Sequence, residues 1–291
     1  DPARALEGLY ERLTRIYSGQ PLNQPVDRAM ADLVVRHNLP KAFLEWLFEG
    51  FLWDSTGRTY ESLSDVRAYG VRVAGTVGVM MAWLMGARDQ HILARACDLG
   101  IAMQLTNIAR DVGEDANAGR LYLPRAWMRE AGIQPEYFLD APEMSEAMGS
   151  VIQRFLGEAN ALYKRSEAGI RALPRNCQTG IFAARLIYEA IGARLAARNY
   201  DAVNARAFVP GSIKVGLIFR AFTMRVQSSL TRPFRLPSEA LYAPALQETE
   251  GLLAAADLNL QQIATQGETE GQIDWVFSLF ERQLVRDETQ R

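Results

Sequence analysis

The stretch Leu99 to Tyr122, LGIAMQLTNIARDVGEDANAGRLY, decides how the rest of the chain is read. Placed on a helix, Gln104, Asn107, Asp111 and Asp115 are spaced by three, four and four residues and share one face. Asp111 and Asp115 are then about 6 Å apart along the axis. The other side carries Leu99, Ala102, Leu105, Ile108 or Ala109, and Val112, an apolar stripe suited to a core. Two carboxylates one turn apart repel, and only Arg110 is close enough in sequence to offset them, one residue off the face. Asp111→Asn is therefore expected to relieve repulsion and stabilise the fold. Two readings of the face stand side by side. It is a solvated polar surface, the common origin of a bare DxxxD, or it looks into a bundle and its oxygens hold a hard divalent cation with a diphosphate. The apolar run LGIAMQLTNIA favours an inward face, where polar groups need partners.

Outward from this segment the pattern stays helical, with no alternating β-branched run bounded by turns. Helices are expected at about 1–17, 26–36, 41–53, 66–85, 90–115, a short one ending at Gly132, then 144–171, 179–198 and 211–226. Asp89 is expected to cap the longest of these. Pro233, Pro237 and Pro244 read as a linker, which divides the chain into a helical domain over 1–235 and a helical appendage over 236–291. From residue 245 on, the appendage is acidic. Its segment IDWVFSLFERQLV (273–285) is amphipathic, so it either docks on the core or touches a lipid surface. The fold class expected is all-α, a bundle of eight or more helices.

Composition narrows the function. The chain has 291 residues, 32 Lys+Arg against 34 Asp+Glu and a net charge of -2, which argues against a nucleic-acid binder. Cys97, Cys177, His37 and His91 are too few and wrongly spaced for a zinc site or a disulfide framework, and a reducing, cytoplasmic setting is expected. No GxSxG, GxGxxG or GxxxxGK[ST] is present. The longest uncharged stretch, Val73 to Ala87, is 15 residues, short for a membrane span. Glycines at 70, 75, 78 and 86 in YGVRVAGTVGVMMAWLMG (69–86) imply either close helix packing or open space beside a helix that walls an apolar cavity.

YGVRVAGTVGVMM (69–81) together with LGIAMQLTNIARDVGEDANAGRLYLP (99–124) resembles the squalene/phytoene synthase family, most of all its bacterial phytoene synthase branch. Weaker matches lie at FLWDSTGRTY (51–60), ARLIYEAI (184–191) and NYDAVNARAFVP (199–210), so the resemblance covers about residues 1 to 230. It implies an isoprenoid synthase-type helical bundle around a central cavity. It also implies a prenyltransferase that joins two geranylgeranyl diphosphates head to head into phytoene, through a cyclopropyl diphosphate, in carotenoid biosynthesis. The cofactor implied is Mg²⁺, with Mn²⁺ as the substitute ion, and no NADPH. By the same resemblance Asn107, Asp111 and Asp115 hold the metal, with Asp111, Asp115 and Tyr69 as the catalytic set. Arg110, Gln104, Val73, Val77, Gly78, Tyr188 and Arg206 bind the diphosphate or line the prenyl tunnel.

Two departures temper this. Gly70-Val71 stands where an aromatic pair is usual, and the family's first aspartate-rich motif lies upstream of the region matching residues 1 to 20. Asp27 and Asp32 do not have its spacing, so the chain as it stands is expected to turn over little or not at all. A squalene-type synthase using farnesyl diphosphate, and a non-catalytic assembly protein of the same family, are the alternatives. The partners expected are a prenyl diphosphate and no nucleic acid. Lipid substrate and product leave peripheral contact with a bacterial membrane open.

Overall fold

A computed structural model describes residues 2–231 and 239–267, and all regular structure among them is helical. The axis of the molecule is α6 (Gln90–Asn117), 28 residues long. Asp89 caps it by accepting from the His91 and Ile92 amides. Leu105, Ile108, Ala109 and Val112 are buried, so the stripe read from the sequence is core. The neighbours of α6 are α9 (Glu146–Ala172), α10 (Arg175–Ala196) and a helical rod over 63–84. Around these lie α1 (Pro2–Tyr17), α2 (Pro25–His37), α3 (Lys41–Ser55), α7 (Arg125–Glu130), α8 (Pro135–Asp140) and α11 (Gly211–Thr231). The α8 helix was not expected from the sequence. Asp27 and Asp32 have structural partners, the guanidinium of Arg12 for the first and that of Arg36 at 2.7 Å for the second.

The rod over 63–84 differs from the single helix expected at 66–85. It consists of α4 (Leu63–Gly70), a π-helical turn (Val71–Gly75) and α5 (Thr76–Leu84). It starts earlier because Ser62 and Asp65 form a reciprocal capping box, a signal present in the sequence as SLSD. The π turn admits one extra residue per turn, and its wider register carries Val73 and Val77 to one cavity wall.

The glycines of this rod serve both uses that the sequence left open. Where α5 crosses α6, a Cβ on Gly100 would lie 2.3 Å from the Ala74 carbonyl oxygen, and one on Gly78 would lie 2.4 Å from that of Ala96. Backbone cannot yield as a side chain can, so Gly100→Ala should destabilise the protein by about 1–3 kcal/mol or more through overpacking. Denaturant unfolding of that variant beside Gly157→Ala checks this, because Gly157 has nothing within 4 Å of an added Cβ.

The described C-terminal residues run back over the core. A turn over 239–243 and a short connection lead to a 3₁₀ turn (Gln247–Thr249) and to α12 (Glu250–Gly267). Leu252 and Ala256 are fully buried, Gln90 donates to the Leu253 carbonyl at 3.1 Å, and Ser64 donates to Glu248 at 2.7 Å. The amphipathic segment 273–285 lies outside the described residues.

Candidate active site

The polar face of α6 meets the rest of the molecule at the C-terminal half of the helix. Asp111 is enclosed by two guanidinium groups. Arg110 reaches back to it, with Nε at 2.7 Å and Nη2 at 2.6 Å. Arg206 approaches with Nε at 2.9 Å and also pairs with Glu114 at 3.4 Å. Arg206 arrives on the loop after α10, which the Gly113 amide holds by donating to the Ala202 carbonyl at 3.1 Å. Asp201 stiffens that loop by accepting from the Val203 and Asn204 amides. The expectation that Asp111→Asn would stabilise the fold is thereby corrected. Asp111 is the compensated carboxylate, and its neutralisation would take the ion pair from Arg110 and leave Arg206 with Glu114 alone.

The uncompensated carboxylate is Asp115. Burial first, then the negative charge of Asp111, push its carboxyl up to about 6. A carboxyl with a higher pKa folded than unfolded binds its proton more tightly in the native state. Its contribution to stability is therefore full below the unfolded value near 4 and is lost as pH rises through about 6. Asp115→Asn should flatten the fall in metal-free melting temperature between those values. An unchanged slope would place the charge conflict elsewhere.

A third aspartate completes the site. Asp54, at the end of α3, accepts from Tyr69 Oη at 3.0 Å and from Tyr122 Oη at 2.8 Å. The rings of Tyr60, Tyr69 and Tyr122 pack together with centroids 5.1 to 5.7 Å apart. Burial and the Asp54 charge raise the Tyr69 phenol well above its ordinary value, so it keeps its proton and acts as a donor. The Asp54 charge also contributes to the rise at Asp115. The sequence reading singled out Tyr69 and missed Asp54, although FLWDSTGRTY contains it. An acid closing the apolar run Phe51–Trp53 at the end of α3 was the available signal.

Beside α6 lies an apolar cavity of about 370 Å³ between the rod, α9 and α10. Of the residues expected to form the tunnel and its mouth, Val73, Val77, Gly78, Gln104, Asn107 and Tyr188 line it. Tyr69, Arg110, Asp111, Asp115 and Arg206 do not: Arg110, Asp111 and Arg206 form a charged cluster on the α6 face beyond the polar end of the cavity, Asp115 follows one turn on, and Tyr69 stands at Asp54. Val77 and Met81 are 42% and 45% exposed, so the cavity is open along α5.

The donor set can be tested against a hard cation. Asn107 Oδ1 is buried with no hydrogen-bond partner, an orphaned acceptor one turn from Asp111. Asp115 has a raised carboxyl, which a nearby cation would reverse. Both fit a cation held by oxygen ligands. Among the described residues no group of three or more His, Cys, Asp or Glu side chains converges into a metal cage, so these residues offer one wall of ligands from α6. A metal such as Mg²⁺ commonly completes its shell with water and phosphate oxygens.

Known proteins give the same picture. The family described as squalene/phytoene synthase matches residues 1–212. A phytoene synthase of Cereibacter sphaeroides is 52% identical over 205 residues, 70% of this chain and 58% of that protein. Another, of Rhodobacter capsulatus, is 50% identical over 218 residues, 75% of this chain and 64% of that protein. The chain thus spans about three fifths of the length of these curated relatives. Among solved structures, a dehydrosqualene synthase superposes with a TM-score of 0.69 at 27% identity, covering 76% of this chain and 78% of that one. With the family matching residues 1–212 and the helical fold superposing on a dehydrosqualene synthase, the chain belongs to the squalene/phytoene synthase family.

Proposed function

We propose that the protein is a phytoene synthase-like prenyltransferase. It joins two geranylgeranyl diphosphates head to head through a cyclopropyl diphosphate and releases both diphosphates. The observation that carries this reading is the continuity of the α6 face. Asn107 lines an apolar cavity, Asp111 one turn on is held by two guanidinium groups, and Asp115 follows one turn further. A prenyl diphosphate has those two parts, an apolar chain and a polyanionic head.

The chemistry follows from the residues. Breaking the allylic C–O bond sends the electron pair to the diphosphate and leaves a carbocation. Arg110 and Arg206 offer N–H groups to the departing diphosphate, competing with the Asp111 carboxylate that they now hold. Mg²⁺, or Mn²⁺ in its place, held by Asn107, Asp111 and Asp115, would supply further charge neutralisation on the diphosphate oxygens. The apolar walls at Val73, Val77 and Gly78 offer the cation no nucleophilic side chain. Tyr69, neutral and hydrogen-bonded to Asp54, presents a phenol dipole in place of a nucleophilic phenolate. The last cation loses a proton to give phytoene, which needs no NADPH.

On this reading residues 1–235 form the catalytic unit and 236–291 are appended to it. No described helix is long and apolar enough to cross a membrane. We place the protein in the bacterial cytoplasm, with peripheral contact to the membrane that holds its lipid product. The test is an assay of the full-length gene product with geranylgeranyl or farnesyl diphosphate, each with and without NADPH. The expected result is phytoene and diphosphate from the longer substrate with Mg²⁺ alone. Squalene formed only with NADPH would replace this reading by the squalene-type one, and no turnover of either substrate would favour the assembly protein.

A further inference from the structure

Helix α11 has two apolar sides, and the fold covers one of them. The inner side packs on α10, with Ala221 fully buried and Leu217 and Met224 half-buried beside it. At 3.6 residues per turn, Val215, Phe219, Phe222 and Val226 fall in one row on the opposite side, about 16 Å long. All four are exposed, Val215 to 69% and Phe219 to 70%. Phe208, on the loop that leads into the helix, is exposed to 68%. Single exposed apolar residues are ordinary, but an ordered row of them marks an interaction surface.

The charges around the row single out the partner. No acidic residue occurs between Asp201 and Glu239, in a chain whose net charge is -2. Lys214, Arg220 and Arg225 lie on α11 within that stretch. On the helical wheel Lys214 and Arg225 flank the apolar row on one edge and Arg220 flanks it on the other, between the row and the buried side. Among the described residues none of the three pairs with a carboxylate. An apolar row bordered on both edges by long cationic side chains suits a lipid interface. The row enters the acyl boundary while the cations reach the headgroup phosphates. A second copy of the chain fits less well, because a two-fold contact through this face would set one group of cations against the other.

We propose that α11, together with Phe208, is the face by which the protein sits on an anionic lipid bilayer. The proposal rests on the peripheral membrane contact given under Proposed function and assigns that contact to one surface, the basic helix in place of the acidic segment 273–285. Ile181, Ala184 and Tyr188 of α10, the helix beneath α11, wall the cavity. Docking through α11 therefore puts the cavity one helix away from the lipid.

The test floats the full-length gene product with vesicles of phosphatidylglycerol and phosphatidylcholine, and with vesicles of phosphatidylcholine alone. The wild type should partition onto the anionic vesicles, less so as salt is raised. Phe219→Ser with Phe222→Ser should lower that partition by at least about tenfold. Lys214→Gln with Arg220→Gln and Arg225→Gln should lower it as far and erase the preference for the anionic lipid. None of these side chains is in the core, so the melting temperatures should stay at the wild-type value. Wild-type binding that neither variant weakens overturns the proposal and leaves the peripheral contact to another face. No binding by the wild type overturns the proposal and removes the membrane contact from the reading, while the turnover assay remains the separate test of the prenyltransferase. Hydrogen exchange on the wild type decides the location without any substitution. Bound vesicles should slow exchange in the peptides over 208–227, and slowing confined to 273–285 or to other peptides overturns the proposal.

Discussion

Asp115→Ala in the full-length gene product should lower Mg²⁺-dependent diphosphate release by at least about 10²–10³, the loss typical when one group that stabilises developing charge is removed. Its melting temperature should hold or rise. The two effects separate because Asp115 carries a carboxyl that burial and Asp111 push up to about 6, against which the Arg120 charge is only a partial offset. Its removal takes away a charge conflict and a ligand together. Asp111→Ala should cost as much turnover and should also destabilise, because Arg110 and Arg206 would lose their shared carboxylate. Half-buried guanidinium groups pointing at one another are a poor substitute for an ion pair. Diphosphate release and thermal unfolding, measured on both variants, read these differences. Wild-type turnover in either variant would remove the α6 carboxylates from the chemistry, and a rise in melting temperature for Asp111→Ala would mean that its guanidinium partners contribute nothing.

What the sequence made legible follows from how local each signal is. The helix carrying Asp111 and Asp115 was readable because capping by Asp89, a 3.6-residue stripe and the polar spacing all lie within it. The π turn at Val71–Gly75 was not, since an extra residue in one turn leaves no mark in apolar periodicity. The early start at Leu63 was available in the Ser62 and Asp65 pairing and was passed over. The partners of the site are a different matter. Arg206 is ninety-five residues from Asp111, and Asp54 serves tyrosines from α4 and from the connection after α6. The spacing on α6 shows that two carboxylates share a face, but only the fold decides which of them receives the cations. The sign expected for Asp111→Asn therefore turns on Arg110 and Arg206, which the fold brings to Asp111 and not to Asp115. The hold of the Ala240 and Ala243 carbonyls on Arg95 is equally non-local, joining α6 to main-chain acceptors about 145 residues away that carry no side-chain signature.

Gly113→Ala should uncouple the diphosphate-binding arginine from the aspartate face without changing the identity of any charged side chain of the site. Gly113 sits on α6 between Asp111 and Asp115, and a Cβ there would lie 2.2 Å from the Val203 carbonyl oxygen and 2.8 Å from the Val203 Cα. Those atoms are backbone in a loop stiffened by Asp201, so the whole segment from Asn199 to Val209 has to lift. Lifting it breaks the Gly113 to Ala202 hydrogen bond and withdraws Arg206 from Asp111 and Glu114. The overpacking alone should cost about 1–3 kcal/mol. The functional loss should match that of Arg206→Ala, about 1.5–3 kcal/mol of charge-assisted hydrogen bonding and so about ten- to a hundredfold in affinity for inorganic diphosphate. Calorimetric titration with diphosphate and Mg²⁺ on Gly113→Ala, Arg206→Ala and the double variant decides the matter. If the glycine acts by placing Arg206, the double variant binds no worse than Gly113→Ala alone, since the arginine has already been moved out of reach. Additive losses would show that Gly113 and Arg206 act independently. Full retention of affinity in Gly113→Ala would show that the loop carries Arg206 to the diphosphate from more than one position.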